Sequence, residues 1–141
     1  MTRHTVEITD EITEEMSEVI GAGLNAYNDE IAKYNDRKSL AIVVRDKQSG
    51  QVIGGMLGRS SLGLLFIELV YLPEELRNSG LGSTILKQFE QEGRKRGCSS
   101  AVLYTISFQA PGFYEKHGWE RFGQIPCNPP GTSRIFLTET L

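Results

Sequence analysis

Arg77-Asn78-Ser79-Gly80-Leu81-Gly82-Ser83 is the stretch of this 141-residue chain best equipped for chemistry. It lies between a long apolar run, 64–72, and a helical pattern that follows. Its glycines let successive backbone N–H groups converge on one point. The positive end of the next helix aims at the same point. That combination suits a phosphate or a pyrophosphate. No Gly-Lys-Ser/Thr follows, so this is not a nucleoside-triphosphate loop. G-x-G-x-x-G is absent, so it is not a dinucleotide fingerprint either. A strand-to-helix turn without a ligand would use the same residues. Glu68 is the second candidate, because it is the only acid in the run Leu64–Leu72. A carboxylate in a mostly buried strand is costly unless it has a task or a partner. Four residues before Leu72, it is expected on the same strand face. Pairing with a surface Lys or Arg at a sheet edge is the plainer alternative.

The surrounding elements follow from periodicity. Thr5-Val6-Glu7-Ile8 alternates and predicts a short first strand. Asp10 or Thr13 can cap a helix carrying Ile12, Met16, Val19, Ile20 and Leu24, with Gly21 and Gly23 weakening its end. Tyr27, Ile31 and Tyr34 at i, i+4 and i+7 predict a second short helix. Residues 40–44 and 51–57 read as strands around the turn 46–50. Residues 64–72 read as a central strand covered on both faces, ended by Pro73. A long helix starts near Gly80, with Leu81, Ile85, Leu86 and Phe89 as its apolar stripe. Arg94-Lys95-Arg96 favours its last turn and Gly97 stops it. A strand at 100–106, a short helix at 109–117, and strands at 119–125 and 133–137 complete the order βααβββαβαββ. This is an α/β or α+β chain: one domain over 1–141, with a mixed sheet of six or seven strands and about four helices. No repeat, low-complexity tract or linker interrupts it.

Composition narrows the function. Hydrophobic residues are 39% and charged residues 23%, ordinary for a globular chain. The net charge is −3, unlike the basic balance of a general nucleic-acid binder. Residues 1–36 hold nine acids and two bases; the rest of the chain is net positive. That split suits a protein meeting an anion on one side and a cation on the other, or simply a helix with a solvated acidic face. No apolar run approaches the roughly 20 residues of a membrane span. The first residues do not form a secretory leader, so the expected location is the cytoplasm. Cys98 and Cys127 match neither a disulfide framework nor a metal spacing, and no metal is expected.

Two segments together carry a resemblance. Arg77-x-x-Gly80-x-Gly82 resembles the Arg/Gln-x-x-Gly-x-Gly/Ala signature of the GNAT superfamily of acyl-CoA-dependent N-acetyltransferases. Ala110-Pro111-Gly112-Phe113-Tyr114-Glu115-Lys116-His117-Gly118-Trp119 resembles that family's Ala-x-x-hydrophobic-Tyr-x-x-x-Gly-aromatic segment. The 32-residue step from Gly82 to Tyr114 leaves room for one helix and one strand. The element order agrees over nearly the whole chain.

The resemblance implies a GNAT-like fold and an acetyl-CoA-dependent N-acetyltransferase. It would act on a primary amine of a small molecule by direct transfer within a ternary complex. A non-catalytic acyl-CoA-binding sensor and a lysine or N-terminal protein acetyltransferase are the other readings. By the same resemblance, backbone groups of Val70, Tyr71 and Leu72 pair with the pantetheine amides. The amides of Arg77, Asn78, Ser79, Gly80, Leu81, Gly82 and Ser83 hold the pyrophosphate, with no Cβ at 80 or 82 to crowd it. Tyr114 is the general acid that protonates the departing thiolate; a core tyrosine would occupy the same position. Glu68 is a base, or an anchor for the substrate ammonium. Ser107 stands where many members carry an Asn that contacts the cofactor, and Gln109 is a nearby substitute. Tyr27 and Asn28 fall in the acceptor wall, where acids and tyrosines suit a cationic amine. A homodimer is expected from the resemblance alone. Cys98 is expected to be a packing thiol, and His4 and His117 receive no role.

Overall fold

The computed structural model describes residues 3–141; Met1 and Thr2, part of the stretch read as no secretory leader, lie outside them. The chain divides into two compact units, Met1–Asn35 and Asp36–Leu141. In the first, helix α1 (Glu14–Ala32) is continuous. The expected strand at Thr5–Ile8 does not form, and Val6 and Ile8 are exposed. Alternation alone does not make a strand; a neighbouring strand must accept its hydrogen bonds. Thr13 caps α1 by accepting the Met16 N–H. One helix also replaces the two expected. Gly21 and Gly23 lie inside it, and the apolar spacing runs on through Tyr27 to Ile31. Lys33, in the left-handed conformation, ends it by donating its N–H to Asp29 O at 2.9 Å. A Cβ at Gly23 would meet nothing within 4 Å. Gly23→Ala should therefore stabilise α1 by about 0.5–1 kcal/mol. Amide exchange in the second half of the helix should slow by about 2- to 5-fold, the exchange equivalent of that gain.

In the second unit, six strands form one sheet in the order β1-β2-β3-β4-β6-β5. They are β1 (Lys38–Arg45), β2 (Val52–Ser61), β3 (Leu64–Tyr71), β4 (Ser100–Ile106), β5 (Glu120–Pro126) and β6 (Ser133–Thr140). Leu62 and Gly63 both take positive φ and make the two-residue turn between β2 and β3. Asp36 supports the unusual Leu62 conformation by accepting its N–H at 2.8 Å. A single 3₁₀ turn (Glu74–Leu76) leads to helix α2 (Leu81–Lys95), and helix α3 (Pro111–Lys116) follows β4. The mixed sheet is as expected from sequence, with three α-helices among the described residues rather than about four.

The stripe on α2 packs as its spacing predicts. Ile85, Leu86 and Phe89 are buried among Met56, Leu65, Ala101, Leu103 and Leu137. Burying a side chain such as Phe89 contributes roughly 1.5–3 kcal/mol. Gly93 lets the helix approach β3 closely, since a Cβ there would come within 2.6 Å of Leu65. Arg96, beyond the last turn, donates to the carbonyls of Lys38 and Ser39 and so ties α2 to β1.

Two irregularities in β3 shape what comes next. Its parallel pairing with β4 is confined to Leu64–Phe66 against Ser100–Val102; beyond that the two strands part. Against β2, Gly58 faces Ile67 and Leu57 faces Leu69, so Glu68 is an extra, bulged residue. β3 is thus central, but only its first half is covered: residues 68–71 are exposed. The expectation of a strand covered on both faces fails there because β4 has turned away. Among the described residues, no helix is long and apolar enough to cross a membrane.

Candidate active site

Gly80 opens α2 with φ +83 and offers no side chain to cap it. The amides of Leu81, Gly82 and Ser83, which have no acceptor within the helix, are left for an outside acceptor. Asn78 also has positive φ, at 59°. The side chains around these amides hold the loop together. Arg77 Nε donates to Leu72 O at 2.8 Å, and Ser79 Oγ to Leu76 O at 2.7 Å. The arginine of the signature thus fastens the loop to the end of β3.

The two glycines are needed for different reasons. Gly80 is needed for its left-handed backbone; a Cβ there would meet nothing within 4 Å. A Cβ at Gly82 would lie 3.4 Å from Phe113 and 3.8 Å from Leu72. Gly82 therefore lets α3 lie close to the first turn of α2.

That close approach places Tyr114. It is buried, edge-on to Phe113 at 5.2 Å and to Trp119 at 5.9 Å. Burial pushes its hydroxyl pKa up to about 12. The phenol therefore keeps its proton at neutral pH. One turn on, His117 Nε2 lies 2.8 Å from Ser83 Oγ, and its ring packs on Phe113 at 4.8 Å. Sequence reading gave His117 no role, because its partner is 34 residues away.

Glu68 is not the buried acid expected. It is half exposed, and its Oε1 lies 3.3 Å from Arg59 Nε. The Arg59 guanidinium also sits over the Phe66 ring, 3.8 Å from its centre. The bulge breaks the simple alternation from which Glu68 was placed with Leu72. The ion pair with Arg59 corresponds to the plainer alternative considered for Glu68.

The other expected residues are distributed as follows. Val70 and Tyr71 lie on the exposed part of β3 that β4 leaves, and Leu72 just beyond it. Ser107 Oγ accepts the Ser133 N–H at 3.0 Å, joining the end of β4 to the start of β6. Gln109 Oε1 accepts from Thr105 Oγ1 and from Ile106 N–H, both at 2.9 Å. Tyr27 and Asn28 belong to α1, in the first unit. Cys98 is buried, and burial raises its thiol pKa. Among the described residues, no group of three or more His, Cys, Asp and Glu could hold a metal ion.

The parted strands and the uncapped helix lie at the same end of β3. The unpaired edge of Ile67–Tyr71 offers backbone donors and acceptors to an extended amide-bearing chain. The amides of Leu81–Ser83 offer donors to an anion. Together they fit a ligand with a phosphate group at one end and a peptide-like arm, which is the chemistry of a coenzyme A thioester.

Comparison with known proteins agrees. The sequence profile of the acetyltransferase (GNAT) family matches residues 6–119. An acetyltransferase of Agrobacterium fabrum is 31% identical over 132 residues, 92% of this chain and 94% of that one. The blasticidin-S acetyltransferase of Streptomyces morookaense is 34% identical over 94 residues, 65% of this chain and 69% of its own. A crystal structure from Agrobacterium tumefaciens superposes with a TM-score of 0.91 at 29% identity, covering 98% of this chain and 100% of that one. The fold is that of the GNAT acetyltransferases, and the chain belongs to the acetyltransferase (GNAT) family.

Proposed function

We propose that this protein transfers an acetyl group from acetyl-CoA to a primary amine of a small molecule, directly and without a covalent enzyme intermediate. The observation that carries this reading is Tyr114, a buried phenol with a raised pKa, whose neighbour Phe113 lies against Gly82 in the first turn of α2. The relative that acetylates blasticidin S supports a small-molecule acceptor.

In this reading the amides of Asn78–Ser83 hold the pyrophosphate, and backbone groups of Val70–Leu72 hold the pantetheine arm in the gap left by β4. Acetyl-CoA supplies the activated acyl group when bound. Tyr114 gives its proton to the sulfur as the C–S bond breaks and the C–N bond forms. The ammonium first releases one proton to water and attacks as the neutral amine; its second proton passes to the Tyr114 phenolate, so charge and atoms balance. Glu68, exposed beside the gap, suits the role of anchor for the amine's ammonium better than that of buried base. Ser107 and Gln109 hold the end of β4 that forms the far wall.

Calorimetry with acetyl-CoA, using ATP and NAD as controls, tests this. Binding at roughly micromolar Kd, with neither control bound, is the expected result. Release of free thiol on adding candidate amines then identifies the acceptor. Failure to bind both acetyl-CoA and CoA would reduce Arg77–Ser83 to a turn.

A further inference from the structure

We propose that Glu90 and Glu139 form a proton-sharing carboxyl pair that positions Trp119, and through it Tyr114, making both glutamates positioning residues for the transfer reaction. The inference rests on the reading of Tyr114 as proton donor. It concerns groups that this reading does not use.

Glu90 lies on the buried face of α2 and is only 6% exposed. Its Oε2 accepts the Trp119 Nε1–H at 3.0 Å, a buried bond that joins α2 to the turn beyond α3. Trp119 in turn holds Tyr114 twice: its ring lies edge-on to the phenol ring at 5.9 Å, and its backbone N–H donates to the Tyr114 backbone carbonyl at 3.1 Å. Glu90 therefore reaches the proton donor through one side chain.

Glu90 needs compensation for its own burial. A carboxylate away from water is costly unless it is fully partnered. Its neighbour is a second acid, Glu139 on β6, and Glu139 Oε2 is itself buried with no donor reaching it. Glu139 Oε1 lies 3.5 Å from where a Cβ at Gly118 would stand, so the pair sits directly behind the turn that leads into Trp119. A proton on Glu139 directed at Glu90 satisfies both carboxyls at once. Burial first, then the bond to Glu90 and its charge, push the Glu139 pKa up to about 8; Arg94 on α2 pulls the other way. Glu120 on β5 lines the same small cavity, with Gly118, Thr138 and Thr140.

The sign of the pH effect follows. The folded protein keeps this proton until about pH 8, whereas an ordinary glutamate loses it near 4.5. Stability from the pair is complete below the lower value and is lost as pH rises through the upper one. Above it, two adjacent carboxylates repel, and the hold on Trp119 loosens.

Trp119 is the only tryptophan, so its fluorescence reports on the pair without any substrate. Titrating the wild-type protein should give a transition centred near pH 8. Glu139→Gln, which keeps a donor to Glu90 but cannot ionise, should abolish that transition and flatten the fall of Tm between about pH 4.5 and pH 8. The kcat for acetyl transfer should decline with the same midpoint in wild type and hold level in Glu139→Gln, with KM for acetyl-CoA unchanged in both. Trp119→Phe keeps a ring but loses the bond to Glu90; its kcat should fall about 10-fold, equivalent to about 1.4 kcal/mol, again at constant KM. A flat wild-type fluorescence titration would overturn the pair. A fluorescence transition that kcat does not follow would overturn its positioning role. Failure to find any amine that is acetylated would count against the proposed function instead, and the fluorescence titration would still decide the pair.

Discussion

Tyr114→Phe will slow turnover at saturating acetyl-CoA by about 100-fold or more, the range expected when a general acid is removed. That corresponds to about 3 kcal/mol of lost transition-state stabilisation at 1.36 kcal/mol per decade. Cofactor affinity should stay the same. Phenylalanine keeps the ring that packs on Phe113 and Trp119 at 5.2 and 5.9 Å, and the anion-facing amides belong to α2. The loss should appear in kcat alone, with calorimetry giving the wild-type Kd for acetyl-CoA. The pH profile adds a second check. Burial holds the Tyr114 phenol near pKa 12, so its own ionisation falls above the usable range. A decline in rate near pH 8 therefore belongs to another group, and Glu139, the neighbour of the Glu90 that holds Trp119, is the candidate. Unchanged turnover in Tyr114→Phe would remove the phenol from the chemistry and leave the chain as a binder of acyl-CoA.

What could be read from the sequence was local. The α2 stripe is one element with one period, and Ile85, Leu86 and Phe89 are buried as their spacing requires. The glycine loop and its helix are contiguous, so the helix start at Gly80 could be placed before any tertiary structure was known. The α3 segment is short enough for its motif to locate Tyr114. Contacts between distant segments could not be read in this way. Glu68 looked buried because its neighbours are apolar, but the bulge and the departure of β4 depend on β2 and β4. Arg59 lies nine residues before it across a hairpin, where one added residue changes every facing pair. Glu90 carried no local signal, because its partner Trp119 is 29 residues on. The N-terminal segment misled differently. Thr5–Ile8 alternates like a strand but pairs with none, and two glycines suggested a break in a helix that its cap and its length sustain.

Gly58→Ala should have the largest effect on stability. Gly58 lies on β2 opposite Ile67, beside the Glu68 bulge. A Cβ there would stand 1.8 Å from Phe66 O and 2.8 Å from Phe89 Cζ. Neither atom yields cheaply, since one is backbone of a central strand and the other belongs to a fully buried ring. Overpacking a core commonly costs about 1–3 kcal/mol, and more when the backbone must move. A cost of about 3 kcal/mol or more is expected here, out of roughly 5–15 kcal/mol for a whole domain. Calorimetry should show Tm lowered by about 10 °C. The same displacement bears on the site. Moving β3 away from β2 shifts the strand whose free edge faces the gap, so acetyl-CoA affinity should fall together with Tm. Gly123→Ala is the matched control. Its Cβ would meet Phe136 at 3.8 Å, an ordinary contact, on a strand far from β3 in the sheet order. It should leave Tm within about 2 °C of wild type and leave the affinity unchanged. A Gly58→Ala protein as stable as this control would mean that β2 and β3 can separate freely, and that the gap beside β3 is not held by the packing of Phe89 beneath it.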